Sequence, residues 1–147
     1  MDQKERMLAE LPYLASDEVL SRERLECKRK IYELNNVHPD QYDRIPGLLK
    51  ELFGKTGEAV FVEPPFHCDY GYNIEVGENF FANYNCTVLD VAKVKVGNNV
   101  VIGGGSVVTR DIPDGVVAAG NPCRVIREIT EEDRKYYFKK RVFDVEI

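Results

Sequence analysis

From about Val62 to Ile112 the apolar and small residues recur in steps of six. Val76, Ala82 and Val88 carry the beat, which slips by two residues and resumes at Val96, Ile102 and Val108. Four residues beyond each start stand Phe80, Cys86, Ala92, Val100, Ser106 and Ile112, all apolar or small. A six-residue period fits neither an amphipathic helix at 3.6 nor a half-buried strand at 2. It fits a solenoid of triangular coils, each eighteen residues long, with a short strand on every side and a turn at every corner. Val62, Cys68 and Ile74 take the inward positions of a first coil, which gives about three coils up to Pro113. Pro64-Pro65, Gly71, Gly77-Glu78-Asn79, Gly97-Asn98-Asn99 and Gly103-Gly104-Gly105 fall at the corners. Gly and Asn tolerate the left-handed backbone that such turns use.

The pattern differs at both ends. Before residue 57 it is helical. Met7, Leu8 and Leu11 begin an apolar face that Pro12 interrupts. Ser16-Asp17 caps a second helix with Leu20, Cys27, Ile31 and Leu34 on one side. Asn35-Asn36 and His38-Pro39 end it; a third helix carries Ile45, Leu48, Leu49 and Leu52, with Gly54 as its C-terminal cap. After Ile112 come Pro113, Gly115, Gly120 and Pro122, an irregular exit. Thr130-Glu131-Glu132-Asp133 resembles a capping box that opens a charged helix through about Arg141. Tyr136, Tyr137 and Phe138 on that helix form either a docking face or a tail against their own subunit. The expected division is a helical cap over 1–56, a repeat domain over 57–113, and an exit with a C-terminal helix over 114–147. The fold class is mainly β.

Composition narrows the chemistry. The 147 residues carry a net charge of -5, which disfavours nucleic acid as a partner. No run approaches the roughly 18 apolar residues that cross a bilayer, and the start has no apolar signal core, so no membrane partner and a cytoplasmic location are expected. Cys27, Cys68, Cys86 and Cys123 are widely spaced, and with only His38 and His67 they offer no metal-ligand cluster. Four reduced cysteines and no metal are the expectation.

Several strings resemble one family. PPFHCDYGYNI (64–74), NFFANYNCTVLDVAKV (79–94), IGGGSVVTRDIP (102–113) and GNPCRVIREI (120–129) are similar, in that order, to the maltose/galactoside O-acetyltransferases. The opening Lys4 to Met7 agrees as well. The resemblance implies a left-handed parallel β-helix, a homotrimer, and acetyl-coenzyme A donating acetyl to a sugar hydroxyl in a cleft between subunits. It implies acceptor contacts at Asp69, Asn83 and Asp90, with Asn83 beside the reacting hydroxyl. On the donor side it implies a pantetheine contact at Gly104, with Ser106 following, and a nucleotide end at Thr109, Arg110, Arg124 and Arg127. Asp69 and Asn83 also suit plain corner residues, and Arg124 and Arg127 plain surface charges. No base stands near Ser106 in sequence, so covalent serine catalysis is not expected.

The chain departs from this family at one place. The family's T-x-x-H-P or T-x-G-H-P segment with its catalytic histidine is absent; Asp90 to Val94 leads directly into Lys95 to Val100. A hydroxyl attacking a thioester needs a base, and without one roughly 10²–10⁴-fold of rate is forfeited. His67, two residues from Asp69, is the remaining candidate; His38 belongs to the cap. The expected function is therefore an acetyl-coenzyme A-dependent sugar O-acetyltransferase with activity weak or lost. The alternative is a non-catalytic trimeric β-helix scaffold or coenzyme A-binding module.

Overall fold

A computed structural model describes residues 1–137 and 141–142. Helix α1 (Gln3–Leu8) starts at a capping box: the Asp2 carboxylate accepts from Glu5 N–H and the Glu5 carboxylate from Asp2 N–H. Of the expected apolar face only Met7 is buried; Leu8, the last residue of α1, and Leu11 beyond it are exposed. Helix α2 (Glu18–Asn35) is capped by Asp17, which accepts from Val19 and Leu20 N–H. Its Leu20, Cys27, Ile31 and Leu34 are buried on one side. A 3₁₀ segment (Pro39–Arg44) leads to α3 (Ile45–Leu52), which buries Ile45, Leu49 and Leu52. Gly54 does not cap α3 in a left-handed conformation. Phe53 caps it, and Gly54 N–H donates to Ile74 O at 2.9 Å in a crossing too close for a Cβ.

The chain then winds through three parallel sheets. Strands β1 (Val60–Val62), β4 (Phe80–Ala82), β7 (Val100–Ile102) and β9 (Val116–Ala119) stack on one side. Strands β2 (Phe66–Cys68), β5 (Cys86–Val88) and β8 (Val107–Val108) form the second side. Strands β3 (Ile74–Val76) and β6 (Val94–Val96) form the third, extended by bridges of Lys55 to Glu75 and Ile112 to Val96. Strand β10 (Arg124–Glu128) closes the first sheet antiparallel to β9. Alternate residues point inward, so Val62, Ala82, Ile102 and Ala118 make one buried column and Val76, Val96 and Ile112 another.

The repeat differs from the expected eighteen. Val60 pairs with Phe80 and Phe80 with Val100, a rise of twenty residues, whereas Val101 pairs with Val117, a rise of sixteen. The slip between Val88 and Val96 already occurs one coil earlier, in the long corner between β2 and β3. Ala92 is consequently a half-buried corner residue, and Val94 takes the inward place. In the first coil Cys68 is only half-buried, and both Ile74 and Val76 point in.

Helices α2 and α3 share one continuous core with the coils, in which Phe53 meets Phe66 edge-on at 5.6 Å. A smaller cluster of Met7, Leu20 and Tyr70 pins α1 and α2 to the β2–β3 corner. At the far end Thr130 N–H donates to Asp133 Oδ2, and α4 spans only Glu132–Lys135. Instead of continuing toward Arg141, the backbone pairs β11 (Tyr136–Tyr137) antiparallel with β12 (Arg141–Val142). The expectation for the side chains of Tyr136, Tyr137 and Phe138 lies outside the described residues. Among the described residues no helix is long and apolar enough to cross a membrane.

Candidate active site

The sheet β2-β5-β8 presents an outward row of His67, Thr87 and Val107, one from each coil. His67 is exposed. Two stacks of corners border this face. One holds Glu63–Pro65, Asn83–Asn85 and Gly103–Ser106; the other holds Asp69–Asn73, Leu89–Lys93 and Thr109–Asp111. The stacking is fixed by coil-to-coil bonds of Glu63 N–H to Ala82 O, Asn83 N–H to Ile102 O, and Leu89 N–H to Val108 O, all at 2.9 Å.

On the first edge, Asn83 is half-buried and its Oδ1 accepts from Tyr84 N–H at 2.8 Å, which leaves the amide Nδ2 as the group it offers outward. Gly104 and Gly105 are exposed, and Gly105 adopts φ 71° while its N–H donates to Tyr84 O. A Cβ on Gly105 would meet nothing, so this corner offers bare backbone to anything laid along it. Ser106 is fully buried; its hydroxyl donates to Gly103 O and accepts from Gly120 N–H. It fastens the corner to the exit segment, and its side chain has no exposed surface. Arg124 follows on the exposed start of β10. Arg127 is exposed, but its guanidinium pairs with Asp133 at 2.8 Å and donates to Glu128 O.

On the second edge, Asp90 serves the fold. It has no exposed surface, and Oδ1 accepts from Asp69 N–H (2.8 Å) and Tyr70 N–H (3.0 Å) while Oδ2 accepts from Gly71 N–H (2.7 Å). Asn73 Nδ2 in turn donates to the Asp90 and Val91 carbonyls. The carboxylate of one coil thus organises the long corner of the coil below, so Asp90 presents nothing to an acceptor. Asp69 differs, because its Oδ2 is buried without a hydrogen-bond partner among the described residues. Burial pushes its pKa up, against the pull of its bond to the Asp90 corner and of Arg24. Glu63 Oε2, on the opposite edge, is likewise buried and unpartnered. No local pattern marks Glu63, because an orphaned oxygen depends on what packs over it. Thr109 and Arg110 are exposed and line a groove of about 470 Å³ with Lys93, Asp111 and Glu10. The residues that the resemblance assigns to the donor side therefore divide between two edges of one face: Gly104 and Arg124 on the first, Thr109 and Arg110 on the second.

The cap grips the second edge. Arg24 Nη1 donates to the Tyr70 hydroxyl at 2.7 Å, and the Tyr72 hydroxyl donates to Glu23 at 2.7 Å. Lys4 pairs with Glu23 at 2.8 Å and lies 4.6 Å over the Tyr72 ring. Burial and the Glu23 carboxylate keep the Tyr72 phenol protonated far above its usual range. His38 has a local task, its Nδ1 accepting from Asp40 N–H at the start of the 3₁₀ segment. Among the described residues no three His, Cys, Asp or Glu side chains gather as a metal site.

A β-helix with hexapeptide corners and a helical cap defines the class of hexapeptide-repeat acetyltransferases. Residues 6–57 match the maltose acetyltransferase hexapeptide capping motif. The galactoside O-acetyltransferase of Escherichia coli (strain K12) is 35% identical, over 95% of each chain. A galactoside acetyltransferase solved in complex with coenzyme A is 35% identical, with a TM-score of 0.70 over 99% of this chain and 100% of that one. A maltose O-acetyltransferase from Clostridium difficile 630 is 38% identical, with a TM-score of 0.67 over 89% of this chain and 99% of that one. This chain belongs to the maltose/galactoside O-acetyltransferase family, whose fold is the left-handed β-helix. The alignment to the Escherichia coli protein runs over 193 positions, more than the 147 residues present here, so it opens gaps on this side.

Proposed function

We propose that this chain is a shortened sugar O-acetyltransferase that keeps its coenzyme A groove and whose acetyl transfer is weak or lost. The observation that carries the reading is the bare Gly104–Gly105 backbone on one edge of the β2-β5-β8 face, with the Arg110-lined groove on the other. Exposed peptide groups match the amides of a pantetheine arm, and guanidinium groups at Arg110 and Arg124 match phosphate. Arg127 contributes less, since Asp133 already engages it. Acetyl-coenzyme A supplies an activated thioester acetyl group. A sugar hydroxyl is then oriented by Asn83 Nδ2 and by Asp69, whose buried Oδ2 awaits a hydrogen-bond donor.

The proton of that hydroxyl needs an acceptor, and His67 is the histidine on this face. The family's histidine-bearing segment has no counterpart in the sequence, so a rate deficit of about 10²–10⁴-fold follows from this contribution alone. The division of donor residues between two edges supports a homotrimer, in which one subunit's first edge meets its neighbour's second. The outward row of Phe61, Phe81, Val101 and Val117 is apolar and suits subunit contact. A cytoplasmic location accords with four unpaired cysteines.

Release of free thiol from acetyl-coenzyme A, with maltose, glucose or a galactoside as acceptor, tests the reading. Slow turnover that His67→Gln lowers further supports a working site built on His67. No turnover above an enzyme-free blank at high protein excludes an active enzyme. The second reading, a non-catalytic trimeric scaffold or coenzyme A-binding module, is favoured by Asp90, an acceptor-side carboxylate given wholly to the backbone. Light scattering that shows a clean monomer contradicts both forms of the intersubunit groove.

A further inference from the structure

Cys27 on α2 and Cys68 on β2 are 41 residues apart in sequence, yet their sulfur atoms are 3.6 Å from each other. Cys27 Sγ also contacts the Cys68 carbonyl at 3.9 Å. The pair sits at the seam between cap and coils, where Asn35 Nδ2 donates to Phe66 O and Asn35 Oδ1 accepts from Phe66 N–H. That pair of hydrogen bonds holds α2 and β2 in fixed relation, so the two thiols do not depend on a flexible loop to meet. Cys27, itself buried, is among the residues that line a cavity of about 260 Å³, together with Arg22, Lys30, Glu51, Tyr70 and Tyr72. A cavity of that volume has room for a small peroxide. The other two cysteines, Cys86 and Cys123, are also unpaired, and burial together with the neighbouring Cys123 pushes the Cys86 thiol up to about 12.

We infer that Cys27 and Cys68 form a peroxide-driven disulfide that staples the helical cap to the first coil. The Cys27 sulfur attacks one oxygen of hydrogen peroxide and the O–O bond breaks. The departing hydroxide takes the thiol proton and leaves as water, which makes Cys27 a sulfenic acid. The Cys68 sulfur then attacks the Cys27 sulfur; the S–S bond forms, the S–O bond breaks, and the second hydroxide leaves as water with the Cys68 proton. Two thiols lose two electrons to one peroxide, and no other reactant is needed. The sulfurs must close from 3.6 Å to about 2.05 Å to form the bond. The Cys68 thiol is held protonated by its contact with Cys27 and by burial, so the reaction is slow and answers to sustained peroxide. Because Cys68 immediately precedes Asp69, the staple locks the edge of the face on which Asp69 stands.

The test is treatment of the purified full-length protein with hydrogen peroxide, followed by intact mass, thiol titration and non-reducing peptide mapping. The inference predicts a loss of about 2 Da, a fall in free thiols from four to two, and a cross-linked peptide pair containing Cys27 and Cys68. It also predicts that the melting temperature rises by roughly 10 °C and returns on reduction, since the staple closes a long loop of the unfolded chain. Cys27→Ser and Cys68→Ser each abolish the cross-link; the mapping of the unaltered protein stands even where a variant folds poorly. Oxygen added to one cysteine without a cross-link, a disulfide between two chains, or a Cys86–Cys123 link formed first overturns it.

Discussion

Replacing Asp90 removes the carboxylate that binds three successive N–H groups in the long corner of the first coil. Asp90→Ala deprives Asp69, Tyr70 and Gly71 N–H of their acceptor, at present distances of 2.8, 3.0 and 2.7 Å. Hydrogen bonds to a charged group contribute about 1.5–3 kcal/mol each, but three that act together do not add in full, and water entering the vacated space recovers part. The expected loss is about 4 kcal/mol, or a melting temperature lower by about 12 °C for a chain of this size. Asp90→Asn is the sharper probe. It keeps an oxygen for Asp69 and Tyr70 but turns an NH₂ donor toward Gly71 N–H, which costs about 2 kcal/mol, or about 6 °C. Both variants are measured by urea and thermal unfolding at one fixed protein concentration, because subunit association shifts the midpoint. Asp90→Ala within about 1 kcal/mol of the unaltered protein refutes this account of the corner.

Other substitutions probe the same framework. Arg110→Ala is expected to weaken coenzyme A binding about tenfold in calorimetry, and unchanged affinity removes Arg110 from the groove. Gly97→Ala is expected to destabilise by about 2 kcal/mol, since its Cβ would lie 2.6 Å from Asp114 N. Gly47→Ala, inside α3 with nothing near the added atom, is expected to stabilise by about 0.5–1 kcal/mol; equal effects at the two positions would contradict the packing described. Burial raises the Asp69 pKa, so its protonated form is the one the folded state favours. Stability from this group is full below the unfolded pKa and declines as pH rises through the folded one. The melting temperature of Asp69→Asn should thus gain on that of the unaltered protein between pH 3 and pH 7; a gap that narrows with rising pH refutes the assignment.

The solenoid was legible because inward positions of a short strand must be apolar whatever else the coil does, as Val76, Val88, Val96 and Val108 show. Helix α2 was legible for the same reason at a different period, and Asp17 caps it as its side chain predicts. The length of a coil was not. The corner from Asp69 to Asn73 is held by a carboxylate some twenty residues later, and a window on local periodicity does not contain both. The six-residue beat therefore falls on Ala92, while the folded coil buries Val94. The same coil-to-coil bond explains Asp90: the residue type suited a sugar contact, while only the packing shows its oxygens already taken. Gly54 follows a helix as a cap would, yet its use is the close crossing with Tyr72 O and Ile74 O. At the C-terminus Thr130 and Asp133 do open a helix, but four residues is all it spans before the backbone turns to strand.

The candidate site divides in the same way. Gly104 and Arg110 stand on exposed corners where their chemistry is available, whereas Ser106 is enclosed by Gly103 and Gly120. On the proposed function, a coenzyme A groove persists in a chain that lacks the family's histidine segment. Isothermal titration of the protein with coenzyme A tests this most directly. Saturable binding of one coenzyme A per subunit is the predicted result, and the absence of any binding heat at millimolar ligand would contradict it.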